Sequence, residues 1–151
     1  NPELKIVKSI DNAFIPAYEC KGDSGMSLRT PMTFDIPRRT QKLIQLGIKM
    51  VIPEGYEVQI RSRSGKTLKQ CLVVAQSSST GIDMGTIDNG YTGEVGVILY
   101  NRGPSELRIK RGEAIAQAVL CPVATANIIE VDDTDIVETS RGDGAYGSTG
   151  K

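Results

Sequence analysis

Apolar and polar residues alternate with a two-residue period along most of the chain, the pattern of strands that bury one face. Residues 4–9 alternate in this way. Residues 41–52 read as one long strand, bent at Gly47 and closed by Pro53, Glu54 and Gly55. Residues 56–62 set Tyr56, Val58 and Ile60 on one face, and residues 93–101 form a further strong strand ended by Arg102, Gly103 and Pro104. Strands are also expected at 107–109, 115–123, 126–131 and 136–137. Gly, Pro, Asn and Asp separate these runs at roughly ten-residue spacing, which predicts an all-β fold, a distorted jelly roll or β-barrel of short antiparallel strands. No long segment has a 3.6-residue period; one short helical turn is expected after Gly65, through Thr67 and Lys69. Residues 132–135, rich in aspartate, read as a solvated turn. Without an internal repeat or linker, the reading is one domain over residues 1–139 and a flexible glycine-rich arm over 140–151.

Composition narrows the chemistry. The chain has 18 Lys+Arg against 18 Asp+Glu, so its overall field favours neither nucleic acid nor a membrane surface, and any anion site must be local. No apolar run is long enough to span a bilayer, and no signal peptide is expected, which predicts an intracellular, cytoplasmic protein (or one of the nucleus or of a virus's host cell) rather than a secreted one. Cys20, Cys71 and Cys121 are odd in number and far apart, arguing against a disulfide framework or zinc site and for a reducing compartment. The absence of histidine excludes imidazole bases, His-dependent triads and His metal ligands. Catalysis would fall to carboxylates, hydroxyls, backbone dipoles and a bound cation.

Five stretches carry more polar chemistry than a β-domain needs. Residues 22–28 run Gly-Asp-Ser-Gly-Met-Ser-Leu. Residues 61–67, Arg-Ser-Arg-Ser-Gly-Lys-Thr, end like a phosphate-binding loop, but Ile60 stands where that loop needs glycine and no long helix follows. What remains is a basic, hydroxyl-rich corner with Arg63, Ser64 and Lys66 around the exposed backbone of Gly65; a solvated turn is the plain alternative. Residues 85–94 read as a tight hairpin about Asn89 and Gly90, whose free backbone groups suit the edge of a planar base. There Asp88 is the best-placed carboxylate to hold a water or a sugar hydroxyl, and Tyr91 suits a sugar face. The plain alternative makes Ile87 and Tyr91 core and Asp88 a turn cap. Residues 111–117 offer Arg111, Glu113 and Gln117. The last eleven residues combine four glycines with Arg141, Tyr146, Ser148 and Thr149, a composition suited to ordering over a polyanion rather than to packing alone.

The order of these pieces, with Gly25 and Leu28, then Arg63-Ser-Gly65, then Gly85-Thr-Ile-Asp88 through Tyr91 and Glu94, then Arg111 to Gln117, then Arg141 to Gly150, resembles the five-motif signature of the trimeric dUTP diphosphatases. The resemblance runs from about Ile15 to Gly150. It implies a jelly-roll (β-clip) homotrimer with three shared sites that hydrolyse dUTP to dUMP and pyrophosphate, controlling the dUTP pool, with no nucleic-acid or membrane partner. Backbone groups from Gly85 through Ile87 to Tyr91 would hold uracil, Tyr91 would lie under deoxyribose, and Asp88 would be the catalytic carboxylate. Arg63, Ser64, Gly65 and Gln117 would line the phosphates, and Mg²⁺ would be chelated mainly by the triphosphate, with Ser27 reaching it only through water. A neighbour's arm would close the site, Tyr146 stacking on the base while Arg141, Gly147, Ser148 and Thr149 clamp the phosphates. The sequence departs from the family pattern at Ser27, where a carboxylate is usual, at Lys66, where an apolar residue packs, and at Thr92. Residues 77–84 lengthen a normally short link. These departures keep two alternatives in view: a nucleotide-binding regulator on the same fold with weak turnover, and a relative of dCTP deaminase.

Overall fold

The computed structural model describes residues 1–75 and 84–150. In chain order its strands are β1 (Lys5–Lys8), β2 (Met26–Arg29), β3 (Phe34–Ile36), β4 (Thr40–Gln45), β5 (Ile48–Val51), β6 (Tyr56–Arg61), β7 (Leu72–Val74), β8 (Gly85–Ile87), β9 (Gly96–Asn101), β10 (Leu107–Ile109) and β11 (Ala114–Pro122). The helix α1 (Ser64–Gln70) lies between β6 and β7, and a single 3-10 turn covers Asp133–Asp135. All pairings are antiparallel, in sheets ordered β2-β11-β6-β8, β4-β9-β7, β1-β5 and β10-β3. This is the all-β, jelly-roll class that the alternation predicts. Among the described residues no helix is long and apolar enough to cross a membrane.

β11 lies between β2 and β6. It reads as a nearly unbroken apolar run because Ile115, Ala116, Ala118 and Val119 are all buried, on both its faces. Its ladder with β2 slips between Ala114 and Ala116, a bulge that adds twist at the strand's entry. Val58 and Ile60 of β6, Leu28 of β2, and Val97 and Leu99 of β9 close the core. Each such aliphatic side chain contributes about 1.5–3 kcal/mol by leaving water.

The long strand expected over 41–52 is two. Gly47 has φ +71, where a side chain would also run into Ile10, and Ser9 N–H donates to the Gly47 carbonyl at 2.8 Å. The bend thus becomes a break, sending β4 to β9 and β5 to β1. The expected hairpin over 85–94 also resolves differently. Tyr91 N–H closes a turn onto the Asp88 carbonyl at 3.0 Å, yet β8 pairs with β6, while Val95 bonds Ile48 and Leu46. β9 accordingly starts at Gly96 rather than 93. The strands expected at 126–131 and 136–137 do not form. Alternation supplies propensity, but an isolated strand has no ladder to join. Ile128, Ile129 and Val131 therefore stand exposed. The acidic stretch is the solvated turn foreseen, capped by Asp132, whose carboxylate accepts from Thr134 N–H at 3.0 Å. The lengthened link at 77–84 falls, apart from Met84, outside the described residues.

Asn101 is fully buried at the end of β9 and is completely engaged. Its amide donates to the Ile36 carbonyl at 3.1 Å and the Ser105 carbonyl at 2.7 Å, and its oxygen accepts from Gly103 N–H at 3.0 Å. Truncation strands three backbone groups. Asn101→Ala should lower unfolding free energy by about 2–4 kcal/mol, read from urea denaturation at fixed protein concentration; a change below about 0.5 kcal/mol, the scale of an ordinary surface substitution, would deny it this tie.

Candidate active site

Three adjacent strands build the first polar pocket. Gln117 on β11 stands opposite Ser27 on β2 and Arg61 on β6, so the chain leaving β6 passes directly beside Gln117. The Gln117 amide donates to the Ser62 carbonyl at 3.0 Å, and Arg63 donates from Nη1 to Ser27 Oγ at 2.9 Å. Ser27 is buried, so this bond fixes its hydroxyl as the acceptor of a cation. Gly25 leaves room for the glutamine: a Cβ there would sit 2.3 Å from Gln117 Oε1. Ser64 and Gly65 begin α1, where backbone N–H groups lack intrahelical partners. Together Ser27, Arg63, Ser64, Gly65 and Gln117 line a cavity of about 300 Å³, joined by Glu19, Asp23, Ser24 and Gly25.

A second pocket, about 210 Å³, lies against the turn after β8 and is lined by Thr86, Ile87, Asp88, Tyr91, Glu94, Val95 and Gly96. Gly85 and Ile87 are buried against β6, which turns Thr86 and Asp88 outward. The Tyr91 hydroxyl donates to the Glu94 carbonyl at 2.8 Å, and Asn89 Nδ2 donates to the Ile52 carbonyl at 2.5 Å, so both ends of the turn are pinned. The two pockets share no lining residue. β8 meets β6 at Val58 and Ile60 with Asp88 emerging toward Glu57, whereas Arg63 follows the other end of β6. At ~3.3 Å per residue, the stretch of β6 from Glu57 to Arg61 alone puts about 13 Å between the Asp88 end and the corner that leads to Arg63.

None of the described residues of the arm lines either pocket. Arg141 donates from Nε to the Gly144 carbonyl at 3.1 Å, and Ser148 N–H donates to the Ala145 carbonyl at 3.1 Å, both local turns. Tyr146 is fully exposed beside Gly147, and Thr149 is exposed as well.

Some chemistry was not legible beforehand. Lys66, a charge where an apolar residue was expected to pack, is partly buried and donates to Glu113 Oε2, while Lys110 N–H donates to Glu113 Oε1 at 2.9 Å. Burial pushes the Glu113 carboxyl up, but its bonds with Lys66 and Lys110 outweigh this and hold it below its usual range. Arg111 turns away from the pocket, stacking on Phe14 at 4.8 Å and donating to the Asn12 carbonyl. Glu19 was missed because it lies in an irregular segment with no periodic pattern. Its carboxylate is engaged by Arg29 at 2.5 Å, and hydrogen bonds from Arg29 and then Ser27 lower its pKa. Among the described residues no cluster of three or more His, Cys, Asp or Glu side chains forms a metal cage. A hard cation here would need most of its oxygens from a ligand and water.

Comparison with known proteins follows the same lines. The dUTPase family profile matches residues 11–150. The chain is 42% identical over 148 residues to the deoxyuridine 5'-triphosphate nucleotidohydrolase of Crocosphaera subtropica, covering 98% of this chain and 99% of that protein. It is 43% identical over 149 residues to the protein of the same name from Nautilia profundicola, covering 99% of each. Among solved structures, the Staphylococcus bacteriophage 80alpha dUTPase with dUPNHPP superposes with a TM-score of 0.87 at 26% identity, covering 99% of each chain.

The Lys66–Glu113 pair has a pH signature. A carboxylate held below its usual value of 4.5 contributes stability that is complete above that pH and lost as pH falls through the lowered native value. The thermal midpoint of Glu113→Gln should therefore fall less steeply than that of the parent below about pH 4.5, with the parent the more stable above it. Parallel profiles across that window would contradict the pairing.

Proposed function

The chain belongs to the dUTPase family and hydrolyses dUTP to dUMP and pyrophosphate, and we propose that the two pockets, one past each end of β6, are complementary halves of its active site, joined between subunits of a homotrimer. The observation that carries this reading is their position at opposite ends of one strand. An attacking water must lie within about 3–3.5 Å of the reacting phosphorus in near-attack geometry. Asp88 of one chain cannot hold that water against phosphates gripped by Arg63 of the same chain.

In this reading the backbone of Gly85, Ile87 and Tyr91 presents donors and acceptors to uracil, rejecting cytosine by mismatch and thymine by its extra methyl. The Tyr91 ring lies under deoxyribose, leaving no room for a 2′-hydroxyl. From the neighbouring chain, Arg63, Ser64, Gly65 and Gln117 hold the triphosphate. Asp88 orients the water and takes up its proton as its oxygen bonds to the α-phosphorus; the bond to the bridging oxygen breaks and its electron pair leaves with pyrophosphate. Negative charge growing on the phosphates meets the Arg63 guanidinium and the free N–H groups at the start of α1. Mg²⁺ fits this site as a passenger of the triphosphate, because Glu19 and Asp23 are the only carboxylates among the residues lining the pocket, too few for an all-protein cage. When bound, Mg²⁺ supplies charge neutralisation along the phosphate chain.

The arm, residues 140–151, closes a neighbour's site. Tyr146 stacks on uracil, Arg141, Ser148 and Thr149 clamp the β- and γ-phosphates, and Gly147, with φ +85, lets the backbone approach. Two features support a neighbour as its target. Among the described residues the arm's hydrogen bonds are to itself and to the adjacent Thr139, and the preceding segment exposes Ile128, Ile129, Val131, Ile136 and Val137, an apolar face that a second copy would cover. A dUTP-hydrolysing role also fits an intracellular location, where its substrate is made.

Purified protein with dUTP and Mg²⁺ should release pyrophosphate and dUMP; no release above background would overturn the assignment. Asp88→Asn should reduce turnover by about 10²-fold or more while leaving affinity for dUPNHPP nearly unchanged. Unaltered turnover would remove Asp88 from the chemistry.

A further inference from the structure

The phosphate pocket contains a contradiction. Its donors, Arg63, Ser64, Gly65 and Gln117, suit an anion, yet the Glu19 carboxylate, paired with Arg29, lines the same cavity. A carboxylate facing a triphosphate repels it unless a cation lies between. Resting on the functional reading above, we propose that Glu19 is the residue that faces the triphosphate-bound Mg²⁺, through its water shell, with Ser27 fixing its orientation.

The backbone explains how Glu19 reaches the pocket. Ser27 N–H donates to the Ala17 carbonyl at 2.9 Å, and Ala17 pairs antiparallel with Ser27. In that register Glu19 sits on the same face as Ser27, at the diagonal position where long side chains reach one another. Ser27 Oγ already accepts from Arg63. Its own proton is thereby left to donate toward the face that carries Glu19, whose carboxylate is engaged by Arg29. Arg29 engages Oε1, and the side chain is 46% exposed, so the carboxylate remains open to water on the pocket side. Asp23 is the rival carboxylate in this cavity, but its Oδ2 accepts from Cys20 N–H at 2.8 Å and closes the loop that carries it. Ser27 is uncharged and buried, which leaves Glu19 as the group that can answer a divalent charge. Acting through metal-bound water, it is a positioning residue.

This assignment predicts effects of opposite sign. Calorimetric titration of Mg²⁺ into the protein–dUPNHPP complex should give roughly tenfold weaker metal affinity for Glu19→Gln, the scale of lost outer-sphere contacts. In EDTA the same variant should bind metal-free dUPNHPP as well as the parent or more tightly, because a repulsive charge is gone. Glu19→Asp should fall between the two. Adding Ser27→Asp to Glu19→Gln should restore Mg²⁺ affinity by returning a carboxylate to the same face. Equal weakening with and without Mg²⁺ would mean that Glu19 only braces the pocket, and an unchanged Mg²⁺ affinity would also overturn the proposal. If the parent protein bound dUPNHPP in neither condition, the functional reading itself would fail, and this inference with it.

Discussion

The constraint on which the rest depends is the double ladder of β6. One edge is fixed to β11 from Gln117–Arg61 through Pro122–Tyr56, and the other to β8 through Val58–Ile87 and Ile60–Gly85. A slip of one residue on either edge would exchange buried and exposed faces. Val58 and Ile60 are wholly buried and forbid it. The register therefore fixes two distances at once. It brings Gln117 and Ser27 beside the corner that carries Arg63, and it puts Asp88 at the far end of the same strand. The proposed chemistry calls for these groups side by side, and on that proposal each chain donates two unlike halves. Closed cyclic assembly is the ordinary way for identical chains to match unlike halves head to tail.

Electrostatics inside the phosphate half follows from that geometry. A formal charge of zero hides a local arrangement in which cations alternate with carboxylates: Arg63, Glu19 and Arg29 around Ser27, and Lys66 with Glu113 beside α1. Each carboxylate is held ionised by its neighbours. This arrangement is what the proposal of an anion carrying its own cation draws on. This also accounts for Lys66, whose charge is accommodated by Glu113 in a place where apolar packing was expected.

Much of this was legible from alternation and punctuation. The strands at 56–61, 107–109 and 114–122 lie within a residue or two of their expected bounds, whereas Gln117 enters the site only through the family resemblance, because a strand glutamine ordinarily faces solvent. Alternation fails where the tertiary partner decides the outcome. It merges β4 with β5, because it registers the bend at Gly47 but not that the flanking halves join different sheets. It assigns a hairpin to 85–94, because the turn chemistry is right while β8 finds β6 instead. It assigns strands beyond 125, because propensity exists there without a partner in the chain. β2, β3 and β7 escape notice since runs of three or four residues give too few alternations to register. Glu19 and the Lys66–Glu113 pair are invisible in the sequence because their meaning arises from long-range neighbours.

The claim that the active site is composite has a direct test. On the proposed roles, Arg63→Ala should disable only the phosphate half and Asp88→Asn only the turn half, so each variant should be nearly inactive alone. Unfolded together in equal amounts and refolded, they should recover about one quarter of parental dUTPase activity, because random cyclic assembly pairs two intact halves at about one site in four. A mixture as inactive as either variant alone, in material whose subunits have demonstrably exchanged, would mean that each chain completes its own site and would contradict this account.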